Sequence, residues 1–67
     1  MLEITVNGET RRYPEPLTVA GLTDQLGLTG KRIAVERNGE IVPKSRHGAT
    51  PLKTGDQLEI VVAVGGG

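Results

Sequence analysis

The chemistry open to this chain is confined to a few groups. Its 67 residues hold no cysteine and one histidine, His47. Without a thiol there is no disulfide framework, no thiolate zinc site and no cysteine nucleophile. No paired carboxylates, nucleophile–base set, phosphate-binding loop or metal-ligand spacing is visible, so no side chain is assigned a catalytic role and no metal site is expected. His47 has an imidazole that titrates near neutrality, but nothing clusters around it in sequence, and a surface position is expected. What remains is the α-carboxylate of Gly67, behind Gly65 and Gly66 and an apolar run. A free α-carboxyl, with a reference pKa of about 3.5, is an anion at neutral pH and a poor electrophile. Three extended residues reach about 10 Å beyond their anchor. Lacking β-carbons, glycines can enter a narrow channel and take dihedrals closed to other residues. The same three glycines also read as a frayed end or a linker remnant, and on residue types alone that second reading is slightly favoured.

Length and charge narrow the classes further. A chain of this size buries only about 60% of its unfolded surface, which leaves little material for a catalytic cleft. The core must come from Leu, Ile and Val, since Phe and Trp are absent and Tyr13 is the only aromatic residue. Eight basic and eight acidic residues cancel, with no block of one sign that would suit nucleic acid or an anionic membrane, so neither is expected as a partner. The start of the chain lacks a basic region followed by an apolar run, and no segment approaches the roughly 20 apolar residues of a membrane span. A cytoplasmic, soluble protein is expected.

The elements that must carry the tail can be read from periodicity. Leu2, Ile4 and Val6 alternate with Glu3 and Thr5, as in a strand with one buried face. Asn7-Gly8 suits a type I′ turn, so Glu9 to Tyr13 folds back antiparallel. With a two-residue loop, Leu2 faces Tyr13, Ile4 faces Arg11, and Glu3 faces Arg12 as an ion pair. Pro14 and Pro16 end that strand. Thr18 is a suitable helix N-cap, Val19, Leu22 and Leu26 recur at helical spacing, and Gly27 closes the helix with Leu28 just beyond it. Gly21 weakens this helix by up to about 1 kcal/mol relative to Ala. Ile33 to Arg37 and Glu40 to Val42 form a second hairpin around Asn38-Gly39. Pro43 stops it, and Lys44 to Thr50 is read as a polar connection, after which Leu52 returns to the core. Gly55-Asp56 turns into the longest strand, Gln57 to Val64, with Leu58, Ile60, Val62 and Val64 on one face and Glu59, Val61 and Ala63 on the other.

The order β-β-α-β-β-β, with an apolar final strand at the centre, gives an α+β fold. It is a β-grasp, or ubiquitin-like, arrangement: a mixed sheet of four to five strands with one main helix across one face. A single domain over residues 1–64 is expected, with a flexible glycine tail at 65–67. On the outward face Ala34, Ile41, Val61 and Ala63 fall among Glu3, Thr5, Glu36 and Glu59. That is an apolar patch rimmed by charge, read either as a partner-docking face or as ordinary exposed surface.

The stretch Ile33-Ala34-Val35-Glu36-Arg37-Asn38-Gly39-Glu40-Ile41-Val42-Pro43-Lys44, followed by Leu52, Gly55-Asp56 and Val64-Gly65-Gly66-Gly67, resembles the ThiS family of thiamin-pathway sulfur carriers. The resemblance covers nearly the whole chain, which departs from the minimal family ending by carrying three glycines in place of two. It implies a carrier and not an enzyme. The Gly67 carboxylate would be adenylated by an E1-like (ThiF-like) enzyme using ATP and Mg. It would then become a thiocarboxylate at the expense of a sulfur donor such as a cysteine desulfurase system, and pass sulfur to a ThiG-like thiazole synthase. Gly65 and Gly66 would thread into those partners' active sites, and the chain itself would bind no cofactor. Related carriers serving molybdopterin, cysteine or tRNA thiolation pathways share the terminal chemistry. A noncovalent ubiquitin-like binding module that pairs through a strand edge is the alternative from another class.

Overall fold

The computed structural model describes residues 1–63. Five strands and one α-helix follow the expected order: β1 (Leu2–Val6), β2 (Glu9–Tyr13), α1 (Val19–Gln25), β3 (Ile33–Arg37), β4 (Glu40–Val42) and β5 (Gln57–Val62). The sheet order is β2-β1-β5-β3-β4. Strand β5 is therefore central, parallel to β1 and antiparallel to β3.

Both hairpins turn on asparagine–glycine pairs in the left-handed region, with Asn7 at φ 50° and Asn38 at φ 52°. The first fixes the anticipated register, Leu2 opposite Tyr13, Glu3 opposite Arg12 and Ile4 opposite Arg11. Glu3 and Arg12 meet at 2.8 Å. Helix α1 opens where the Thr18 hydroxyl accepts from the Gly21 amide at 3.1 Å. It closes at Gly27, φ +72°, where the Leu28 amide donates to the Thr23 carbonyl and the Gly27 amide to that of Asp24. That pair of bonds is a Schellman motif, and it satisfies carbonyls the helix would leave bare.

One face of the sheet meets the helix. Leu2, Ile4, Val6, Val35, Leu58 and Ile60 pack with Val19 and Leu22 of α1, and Leu52 joins them as expected. With Leu2, Val19 and Leu22 at 0% exposure, the core depends on a few aliphatic side chains. Residues 44–50 depart from expectation. Lys44–Ala49 form a 3₁₀ helix, and His47 is buried, with Nε2 3.0 Å from the Val42 carbonyl oxygen. A carbonyl only accepts, so Nε2 carries the proton. The connection lies against the domain because the Val19 amide donates to the Thr50 carbonyl and the Leu52 amide to that of Leu17. No helix among the described residues is long and apolar enough to cross a membrane.

Candidate functional site: the central strand and its outward face

Residues 64–67, and with them the Gly65, Gly66 and Gly67 of the sequence reading, lie outside the described residues. The structure does describe the strand that leads to them and how that strand is held.

Strand β5 begins at a buried carboxylate. Asp56, 6% exposed, accepts from Arg37 Nε at 2.8 Å, Asn38 Nδ2 at 3.0 Å and the Lys53 amide at 2.8 Å. Burial pushes its pKa up, but the Arg37 guanidinium, the Lys53 amide and the Asn38 side chain outweigh that effect. The carboxyl is held below its ordinary value of 3.8. Asp56 is thus ionised at neutral pH and ties the turn before β5 to the turn between β3 and β4.

Two asparagines then grip β5 from both edges. Val6 and Leu58 are the last paired residues of β1 and β5, and the Asn7 backbone amide adds a final bond to the Leu58 carbonyl at 2.9 Å. Beyond it, Asn7 Oδ1 accepts from the Ile60 amide at 2.8 Å and Asn7 Nδ2 donates to the Ile60 carbonyl at 3.1 Å. One side-chain amide therefore stands in for the next residue of a strand. On the other edge the Asn38 amide donates to the Gln57 carbonyl at 2.8 Å, and Asn38 Oδ1 accepts from the Gln57 amide at 2.9 Å. Turn propensity accounts for these asparagines in the sequence, and nothing in it marks their second task. A residue suited to positive φ that also carries an amide is the only hint.

The outward face carries the four apolar residues singled out by alternation, all exposed. Ala34 is opposite Val61, and Ile41 is opposite Glu36. The Ala63 amide donates to the Arg32 carbonyl and keeps the chain in the sheet just past β5. Ile41 and Val61 are 69% and 59% exposed, which sets them apart from the aliphatic residues of the core. An open groove of about 380 Å³ crosses this face between the two hairpin turns, with Glu36 and Glu59 among its lining residues. Among the described residues no group of three or more His, Asp or Glu could hold a metal ion. The described residues thus combine exposed apolar side chains with two carboxylates on one outward sheet face, through which the central strand β5 runs.

A sequence model of the ThiS family matches residues 4–67. The chain belongs to the ThiS family. Among its ThiS relatives of known structure is the thiamine biosynthesis protein ThiS from Geobacter metallireducens. That protein is 33% identical, with 98% of this chain and 100% of that chain covered and a TM-score of 0.82. The likeness extends to the β-grasp sheet and its single helix. Thiazole synthase from Paramagnetospirillum magneticum is 44% identical over 66 residues, 98% of this chain and 20% of that protein. This ThiS-family chain therefore spans about a fifth of the length of that relative. The uncharacterized protein ycf40 of Porphyra purpurea is 35% identical with 98% and 93% coverage.

Proposed function

We propose that this chain is a sulfur carrier for thiazole formation in thiamine biosynthesis, acting in the cytoplasm as a co-substrate and not as an enzyme. The working group is the Gly67 carboxylate. A carboxylate oxygen attacks the α-phosphorus of ATP on an E1-like, ThiF-like adenylating enzyme, and pyrophosphate leaves. The acyl-adenylate converts an unreactive anion into an electrophile with a good leaving group. A sulfur nucleophile, hydrosulfide in its simplest form, then displaces AMP and leaves a thiocarboxylate on Gly67. A cysteine desulfurase system is the expected source of that sulfur, delivered as a persulfide from which two thiols release hydrosulfide as they are oxidised to a disulfide, and a ThiG-like thiazole synthase is its acceptor. ATP and Mg belong to the adenylating partner.

The division of labour follows from size and geometry. A carrier must present an unobstructed acyl group on a rigid handle, and the doubly gripped β5 is such a handle for Gly65 and Gly66 to extend. The outward face with Ala34, Ile41, Val61 and Ala63 is the surface through which the partners hold the domain while the tail enters their active sites. The observation that carries the reading is the family match, which continues through Gly65, Gly66 and Gly67. The likeness to a thiazole synthase supports the choice of acceptor.

The test is the intact mass of the protein, untagged after Gly67, following incubation with ATP, Mg, a sulfur source and the adenylating enzyme of the same cell. Exchange of one oxygen for sulfur, localised to Gly67 by fragmentation, is the expected result. No exchange with an enzyme shown to be active on another carrier refutes the reading.

A further inference from the structure

The outward face contains a conflict that the free domain does not resolve. Glu36 of β3 and Glu59 of β5 are Cα partners on that face. Residues so opposed place their β-carbons about 4.5–5.5 Å apart, and like charges there are destabilising. The contrast with Glu3 on the same face is direct, since Glu3 is neutralised by Arg12 at 2.8 Å. Neither Glu36 nor Glu59 belongs to any of the ion pairs found among the described residues. The groove they share is lined otherwise by uncharged residues, including Thr5, Asn7, Asn38 and Gln57. The amides of Asn7 and Asn38 are already committed to β5 and Asp56. Beside the two carboxylates stand Ile41, directly opposite Glu36, and Val61, both more than half exposed.

The face therefore combines uncovered apolar surface with two opposed, uncompensated negative charges, and a single incoming cation would relieve the repulsion. We propose that its occupant is a basic surface of the adenylating enzyme. An arginine or lysine of that surface enters the groove to bridge Glu36 and Glu59, and adjacent apolar side chains cover Ile41 and Val61. A guanidinium suits the position best, because its planar fork can donate to two carboxylates at once. A second copy of this chain is a poor occupant, since two such faces would bring four carboxylates together. The inference rests on the carrier reading above and adds the chemistry by which the partner is chosen.

The experiment compares wild type with E36Q, E59Q and the double variant. It measures thermal unfolding of each free chain and the affinity of each for the adenylating enzyme at low and at physiological salt. Removing the repulsion raises the unfolding temperature of the double variant. Its affinity at low salt falls by about tenfold or more, and most of the salt dependence seen with wild type disappears. Gain of stability with loss of binding is the signature, because a merely structural pair would move both in one direction. Unchanged affinity and salt dependence in the folded double variant overturn the proposal, as does a lowered unfolding temperature. If wild type still acquires sulfur at Gly67 while the variants bind equally well, this inference falls alone. A wild-type chain that neither binds nor is loaded removes the carrier reading with it.

Discussion

Replacing Asp56 with asparagine keeps the shape of the buried side chain and removes its charge. In the native domain Oδ1 receives the Asn38 amide, and Oδ2 receives both Arg37 Nε and the Lys53 backbone amide. Whichever oxygen becomes the amide nitrogen, a donor points at a donor. Hydrogen bonds to charged groups contribute about 1.5–3 kcal/mol each, and removing one partner of a buried ion pair costs about 3–5 kcal/mol. The Arg37 side chain is 27% exposed and regains part of its hydration. We therefore expect a loss of about 2–4 kcal/mol, a large share of the roughly 3–10 kcal/mol available to a domain of this size. In a thermal melt followed by circular dichroism, that corresponds to a fall of more than about 10 °C. The loss should also depend on pH. The Asp56 pKa lies below 3.8 in the folded chain, so its contribution is fully present above that value and disappears as pH falls through the folded value. The gap between wild type and D56N should thus be constant from neutral pH down to about pH 5 and narrow below about pH 4. A D56N melt within about 2 °C of wild type at neutral pH, or a gap that stays constant into acid, would refute the reasoning.

Other substitutions probe the handle and the tail. Asn7→Gly keeps the positive φ of the turn but removes both bonds to Ile60, and should cost about 1–2 kcal/mol. Its marker is faster exchange of the Ile60 amide by NMR, and unchanged protection would show that the side chain does not extend the ladder. Gly21→Ala should stabilise α1 by less than about 1 kcal/mol, read by urea unfolding. The added β-carbon would stand 2.8 Å from Leu17 Cδ1, so Leu17 must rotate, and a net destabilisation would show that it cannot. Gly67→Ala should leave the melt unchanged while severely reducing thiocarboxylate yield by intact mass; full loading would contradict the need for a bare terminal glycine.

Much of the architecture was legible because local chemistry fixes it. Asn-Gly pairs set the loop length of both hairpins, and a two-residue loop leaves only one register for Leu2 to Val6 against Glu9 to Tyr13. Thr18 and Gly27 mark the helix ends through the polar groups they satisfy, and strict alternation in β5 separates Leu58 and Ile60 from Glu59 and Val61. What escaped depends on distant partners. His47 sits in a polar stretch without periodicity, and its burial requires Thr50 and Leu52 to be tied to the start of α1. The carboxylate of Asp56 and the amide of Asn7 act on residues that only the folded sheet brings near. The same is true of the opposition of Glu36 and Glu59, since alternation assigns each to a face but cannot say which residues meet across β3 and β5. Residue type alone leaves the tail at 65–67 closer to a linker remnant, the resemblance makes it the working end, and it lies outside the described residues.

The central position of β5 also governs when this protein can fold. A ribosome adding about 5–20 residues per second finishes β4 on the order of a second or more before β5 has been made. During that interval each hairpin exists with one inner edge unpaired, and an isolated two-stranded ribbon is marginally stable at best. Only the arrival of Leu58 and Ile60 joins them and completes the layer beneath α1. The outward face is assembled in the same event, because Glu59 and Val61 are part of it. A nascent or prematurely ended chain therefore has no complete outward face until β5 has itself been built.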